Sequence, residues 1–304
     1  MSILTTHTTA TRATPSGSNV GLCKFNTTNS AIEVSDGTSW LVYDYDAVTG
    51  WSGSNTYSLN FDGTDDHLAL SSTVTPTAQQ GTVSFWIKTN YSGPGQNQTV
   101  FSQADSSSTT SYLFFGVLTG GEVRIGWSNG GSLLIKKGST TVNDNAWHHV
   151  ACTSDGSTWK IYIDGSDEGT LTTVTGSGLD GSWYGDITSG SLDICRIGCQ
   201  ERTSKDSFVN GNLDEVAVWD SALTSSQITN IYKGESDGGS GGTNSTPGDL
   251  LSFNPKAWWR MGDGLEANSG TTVYDMSSFS NDMTIVNATS GSNTAGAAYQ
   301  SDTP

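Results

Sequence analysis

The sequence predicts an all-β protein: an antiparallel β-sandwich carrying one short helix near its C-terminal end, preceded by a small β-hairpin segment. Three observations carry this. Short runs of alternating polar and apolar residues recur at steady spacing between Tyr57 and Gly234, separated by Gly- and Asp-containing turns, the pattern of sandwich strands. The chain holds 37 Gly, and Ser, Thr and Asn are abundant, a mixture poor for helices and ordinary for strands joined by tight turns. Ten Trp, ten Tyr and nine Phe supply a core that a disordered chain lacks.

Residues 1–20 are Thr-rich and aperiodic and read as an extended arm. In residues 21–56, the stretch GLCKFNTTNSAIEVSDGTSWLVYDYD gives two or three short strands around Asn-Thr-Thr-Asn and Asp36-Gly37. Such a hairpin is too small to be stable alone. It is expected to attach or to assemble through Phe25, Ile32, Val34 and Trp40. Residues 57–234 form the sandwich. There, YSLNFDGTDDHLAL is strand–turn–strand, and GTVSFWIKTN puts Val83, Phe85 and Ile87 on one face and Trp86 on the other. YLFFGVL, EVRIGW, GSLLIKK, WHHVACTSD, TWKIYIDG, EGTLTTV, LDICRIGC and NGNLDEVAVWD continue the series. The helix is SALTSSQITNIYKG: Thr224 and Gln227 make a capping box, Ile228, Ile231 and Tyr232 form the apolar stripe, and Gly234 ends it. Residues 235–249 are a Gly/Ser linker. Residues 250–304 contain AWWRM at 257–261, a strand too apolar to lie in solvent. Ala257–Met261 and Met283–Val286 are expected to pair with the sandwich edge of their own subunit or of a neighbour, with Trp258 and Trp259 as assembly residues.

Five of these segments, in order, resemble the laminin-G-like, concanavalin-A-like jelly-roll family: YSLNFDGTDDHLAL, GTVSFWIKT, AWHHVACTSDGSTWKIYIDG, LDICRIG, and NGNLDEVAVWDSALTSSQITNIYKG. The resemblance implies a jelly-roll sandwich of the lectin/glucanase kind. In that family a stretch like AWWRMGDG…TVYDMSSFSNDMTIVNA precedes the Phe-Asp-Gly strand, so the order here looks circularly permuted. FNTTNSAIEVSDGTSW resembles a hairpin of phage tail and fibre proteins, and the C-terminal stretch is similar to the last segment of sandwich proteins of marine phages. These likenesses imply a virion protein, made in a host cytoplasm without a signal peptide.

The chemistry is sparse. Glycosidases need two carboxylates facing one cleft. The family's Glu-x-Asp-x-x-Glu pattern is absent, and strand alternation would set Asp214 and Glu215 on opposite faces. No enzyme is expected. His148 and His149 also face opposite ways, one inward and hydrogen-bonded, the other exposed. Cys23, Cys152, Cys195 and Cys199 form neither a disulfide framework nor a zinc site, and read as small buried hydrophobes. No cofactor is called for apart from a structural calcium at Asp62, Asp65 and Asp66, with Asp214 or Glu215 approaching from the closing strand; the alternative is an acidic turn capping its own amides. For carbohydrate contact, Trp183 and Tyr184 sit in a polar loop outside any alternation, and Trp127 and Trp86 are candidates on the concave sheet; the alternative for each Trp is packing within the sandwich or against a neighbouring subunit.

With 13 basic against 30 acidic residues, the net charge of −17 opposes nucleic acid and anionic membrane as partners. The expected function is a non-enzymatic virion component, fibre or decoration. It would assemble with copies of itself, the arm and hairpin being compatible with three-fold association among other oligomers, attach to other virion proteins through residues 1–46, and bind host-surface glycans weakly and multivalently. The alternatives are a polysaccharide-cleaving hydrolase and a purely structural cement protein.

Overall fold

The computed structural model describes residues 55–93, 97–239, 247–263, 271–287 and 299–304, and the backbone of four N-terminal strands. Residues 1–54 form one unit and residues 55–304 another. In the first unit, strands β2 (Cys23–Asn26), β3 (Ala31–Ser35) and β4 (Trp40–Asp44) make an antiparallel meander, and β1 (Thr5–His7) adds to β2 in parallel. The expected arm therefore contributes a strand. The side chains of Phe25, Ile32, Val34 and Trp40 lie outside the described residues.

The second unit is a two-layer sandwich. One sheet has nine strands in the order β15 (Thr172–Gly176), β11 (Ser132–Thr141), β10 (Glu122–Asn129), β9 (Ser111–Val117), β8 (Gln98–Ala104), β16 (Ile194–Ile197), β6 (His67–Leu70), β22 (Met283–Val286) and β21 (Thr272–Val273). The other runs β14 (Ser166–Asp167), β13 (Trp159–Ile163), β12 (Trp147–Ser154), β7 (Gly81–Lys88), β19 (Asn210–Trp219), β5 (Ser58–Asp62) and β23 (Tyr299–Gln300), with β20 (Ala257–Trp259) also paired to β19. Alternation fills the space between them: Val83, Phe85 and Ile87 of β7 meet Leu113, Phe115 and Val117 of β9 and Val123, Ile125 and Trp127 of β10 in a single core.

Helix α1 (Ser225–Tyr232) closes the outer face of the eight-stranded sheet. Thr224 and Gln227 form the capping box read from the sequence. Ile228 and Ile231 are buried, and Tyr232 stacks on Trp86 at 5.7 Å between ring centroids. His149 completes that aromatic layer, 5.4 Å from Trp86 and 6.1 Å from Tyr232. The expected combination of an inward and hydrogen-bonded ring is thus divided between the two histidines. His149 is enclosed and neither ring nitrogen has a hydrogen-bond partner, whereas half-buried His148 bonds to Asp164 at 2.8 Å and Asp144 at 3.2 Å.

The C-terminal segment completes both sheets within its own chain. Along one side of β19, β5 pairs with residues 210–213 and β20 with residues 216–218, end to end. Between them β19 bulges, its register against β7 shifting between Asp214 and Ala217, and Glu215 takes a left-handed φ of 49°. The bulge overrides the alternation expected of Asp214 and Glu215, since both are enclosed, at 0 % and 2 % exposure. Glu215 accepts hydrogen bonds from the Trp258 indole and from Arg260 Nε, the latter at 3.0 Å, and Arg260 is itself fully buried. Arg260 Nη1 donates to the Asp263 carbonyl at 2.9 Å, and the Asp263 carboxylate accepts from the amides of Thr56 and Tyr57 at 2.6 and 2.8 Å. Asn55 donates to Asp214 at 2.9 Å. Burial first, then the neighbouring Glu215 charge, pushes the Asp214 carboxyl well above the usual range. Burial raises Glu215 too, against the opposing pull of Arg260. Trp259, on the other face of β20, enters the core beside Phe101 at 6.2 Å.

Two outcomes follow from this packing. Arg260→Ala leaves a buried carboxylate without its cation and should destabilise the protein by about 3–5 kcal/mol in urea denaturation, while the paired change Glu215→Gln with Arg260→Met should recover most of the loss. Burial holds the His149 imidazole down at about 4, against an ordinary value of 6.5. The unfolded chain therefore binds a proton that the folded chain refuses between these values, and stability drains away as pH falls from 6.5 to 4. His148, raised chiefly by Asp164, works in the opposite sense: its contribution is complete below 6.5 and is lost as pH climbs through its folded value. Melting curves of His149→Phe should consequently show a smaller acid loss than wild type over that window; an equal loss would assign the acid sensitivity elsewhere.

Candidate functional site

The four aromatic residues expected at a glycan surface are interior. Trp183 and Tyr184 are both 0 % exposed. Their loop turns inward through a short 3-10 segment, Tyr184–Asp186, where the Asp186 carboxylate accepts the Trp183 amide at 2.8 Å. Trp183 then packs on Phe115 at 5.3 Å and on Tyr184 at 5.4 Å, plugging one end of the core. Gly81 makes room for it, because a Cβ there would lie 2.3 Å from the indole nitrogen. Two large aromatic side chains gain more from burial than the polar loop around them loses by turning inward. Trp127 points into the core from β10, and Trp86 is roofed by α1.

What faces solvent is a row of polar residues on the outer face of the eight-stranded sheet. In register across four strands stand Asn60 of β5, Asn212 of β19, Lys88 of β7 and Trp147 of β12. They face outward because Leu59, Phe61, Leu213 and Ile87 alternate with them into the core. Asn60 Nδ2 donates to Asn212 Oδ1 at 2.9 Å, and Asn212 Nδ2 to Ser58 Oγ at 3.0 Å. Asp302, brought by the C-terminal segment, accepts from Lys88 Nζ at 2.6 Å and from the Trp147 indole at 3.1 Å. Burial favours the neutral Asp302 carboxyl, but Lys88 and Trp147 outweigh it and hold the group below the usual range. Asn60, Asn212, Lys88 and Asp302 line a groove of about 440 Å³ together with Asp62, Asn90, Asn145 and Asn210. Five Asn side chains present donors and acceptors together, as sugar hydroxyls require, and the partly buried Trp147, bonded to Asp302, stands beside the groove. Alternation in NGNLDEV could have flagged Asn210 and Asn212 as outward; nothing local announces Asp302.

The acidic turn adjoins this groove through Asp62. One carboxylate oxygen from each of Asp62, Asp65 and Asp66 lies within 4.8 Å of the others, close enough to share a calcium ion whose ligands sit roughly 2.3–2.6 Å from the metal. The residues therefore fit the ion. Part of their capacity is already used: Asp66 accepts the Asp62 amide at 2.9 Å and Asp62 accepts the Thr64 amide at 2.7 Å. Asp214, expected as a fourth ligand, is instead buried at the β19 bulge and bonded to Asn55. Cys152, Cys195 and Cys199 are free and buried, and burial pushes all three thiols up, Cys199 to about 12. They are core hydrophobes; Cys23 lies outside the described side chains.

Residues 62–229, more than half of the chain, match the family described as the concanavalin A-like lectin/glucanases superfamily. Among curated proteins, the sushi, von Willebrand factor type A, EGF and pentraxin domain-containing protein 1 of Rattus norvegicus is 27% identical over 220 residues, 67% of this chain and 5% of that protein. Its counterpart in Mus musculus matches equally, at 27% over 220 residues. The chain thus spans about one twentieth of these relatives. Among solved structures, a candidate carbohydrate-binding protein from Bacteroides ovatus superposes with a TM-score of 0.51 at 19% identity, covering 76% of this chain and 58% of that one. A heptameric SAP-like pentraxin from Limulus polyphemus gives 0.44 at 22% identity, over 58% and 82%.

Calcium added to chelator-treated protein should raise the melting temperature, and Asp65→Asn should abolish that rise without lowering the metal-free value. A melting curve indifferent to calcium would leave the three carboxylates as turn caps.

Proposed function

Since the chain belongs to the concanavalin A-like lectin/glucanases superfamily, we propose that it is a glycan-binding, non-enzymatic component of a phage virion. The observation that carries the binding reading is the cross-strand row Asn60–Asn212–Lys88–Trp147, roofed at one end by Asp302. Fixed amides along a flat sheet face, ending at an indole, suit an extended polysaccharide more than a small enclosed ligand. Such a site is weak singly and gains strength when many copies engage one surface. The separate N-terminal strands, and the likeness of FNTTNSAIEVSDGTSW to phage fibre hairpins, support attachment of the sandwich to a particle.

One observation favours a second reading. Asp62 and Asp302 line the same groove, and two carboxylates in one cleft are what a glycosidase uses. A general acid, however, needs a carboxyl raised toward neutrality, whereas Asp302 is held low by Lys88 and Trp147. The raised carboxyls, Asp214 and Glu215, are enclosed at the bulge.

An array of bacterial and algal oligosaccharides, followed by calorimetry on the best ligand, tests the proposal. Asn60→Ala and Trp147→Ala should each weaken binding roughly tenfold, about 1.4 kcal/mol, with the Asn60→Ala melting point unchanged. Release of reducing ends from that ligand would move the protein to the hydrolase reading, and full binding by both variants would place the site elsewhere.

A further inference from the structure

The outer face of the nine-stranded sheet carries a cation, Arg124, that forms no salt bridge among the described residues. Arg124 alternates with Val123 and Ile125 of the core and so points away from it. Its guanidinium lies over the Phe114 ring, 4.5 Å from the centroid. The residue is only 6 % exposed, yet among the described residues nothing hydrogen-bonds to its guanidinium, and Nε is shut off from solvent without a partner. Burial lowers its pKa to about 10, the loss moderated by Asp206 nearby.

The acidic groups around Arg124 are engaged elsewhere. Lys137, opposite Arg124 on β11, holds Glu122. Arg202 lies over the Tyr112 ring at 5.3 Å and holds Asp206 at 2.5 Å. Glu201 is shared by Arg196 and Lys205. The hairpin of β17 (Gln200–Glu201) and β18 (Lys205–Asp206) that brings these groups is tied to β8 at both ends, Ser102 Oγ donating to the Cys199 carbonyl at 3.0 Å and the Thr99 amide to the Ser207 carbonyl at 2.8 Å. Five basic side chains thus meet three acidic ones on one sheet face of a chain whose net charge is −17.

A charge buried without a partner destabilises the fold, and an apolar residue of similar length would serve the sheet better. A guanidinium lying on an aromatic face keeps its donor fork free for a two-oxygen acceptor. We propose that Arg124 is the centre of an anion site, flanked by Lys137, that takes the carboxylate or sulfate group of an acidic sugar. The sugar as carrier rests on the glycan-binding reading. The site itself lies on the opposite sheet from the Asn60–Trp147 row and does not depend on it.

The test uses the full chain, isotopically labelled, with sodium glucuronate, glucose 6-sulfate and glucose as probes. The Arg124 Nε–H resonance should shift with one or both charged sugars and stay in place with glucose; the larger response tells carboxylate from sulfate. Arg124→Gln should weaken the charged sugar at least tenfold, while Arg124→Lys keeps the charge, loses the fork and falls between. Asn60→Ala should leave the response intact. A resonance blind to both anions, or equal affinity in the Gln variant, overturns the site. Charged-sugar binding at Arg124 without any oligosaccharide binding at the Asn row would overturn the groove and spare the anion site.

Discussion

The architecture turns on a buried ion pair between Glu215, at the bulge in β19, and Arg260, just beyond β20. Neither charge reaches water, so neither is tolerable without the other. Each also holds neighbours in place: Glu215 takes the Trp258 indole, and Arg260 reaches the carbonyl of Asp263, whose carboxylate grips the amides at the entrance to β5. The pair thereby sets the end-to-end placement of β5 and β20 along one strand, and a segment late in the chain becomes part of the sandwich.

That closure bears on function through Asp302. Two residues past β23, it reaches Lys88 and Trp147, and the Ser58 hydroxyl bonds to its carbonyl at 2.6 Å. The groove on the eight-stranded sheet is assembled from β5, β7, β19, the loop holding Asn145, and this final segment. The sandwich built by residues 57–234 supplies the flat row; the C-terminus supplies its end wall.

Sequence reading succeeded where a period governs the chain. Alternation placed Val83, Phe85 and Ile87 inward, the capping box marked α1, and the apolar character of AWWRM required a partner strand. It failed where no period applies. Trp183 and Tyr184 occupy a loop, and a polar loop carries no sign that its two aromatic residues turn into the core. The bulge at Asp214 and Glu215 breaks alternation with a left-handed glutamate, a conformation seldom adopted outside glycine and asparagine. The groove and Arg124 were hidden for another reason: cross-strand neighbours such as Lys88 and Asn212, or Arg124 and Lys137, are set by register, which only the folded sheets define.

One chain closes its own sandwich and, in closing it, finishes the groove. A stop codon after Glu235 removes β20 to β23 and Asp302 together. Sedimentation and oligosaccharide titration of that truncated protein against the full chain measure both consequences. The truncated chain should self-associate through the uncovered side of β19 and bind oligosaccharide poorly; a monodisperse protein with the full melting temperature and full affinity would show that the sandwich and groove do not need the C-terminal strands.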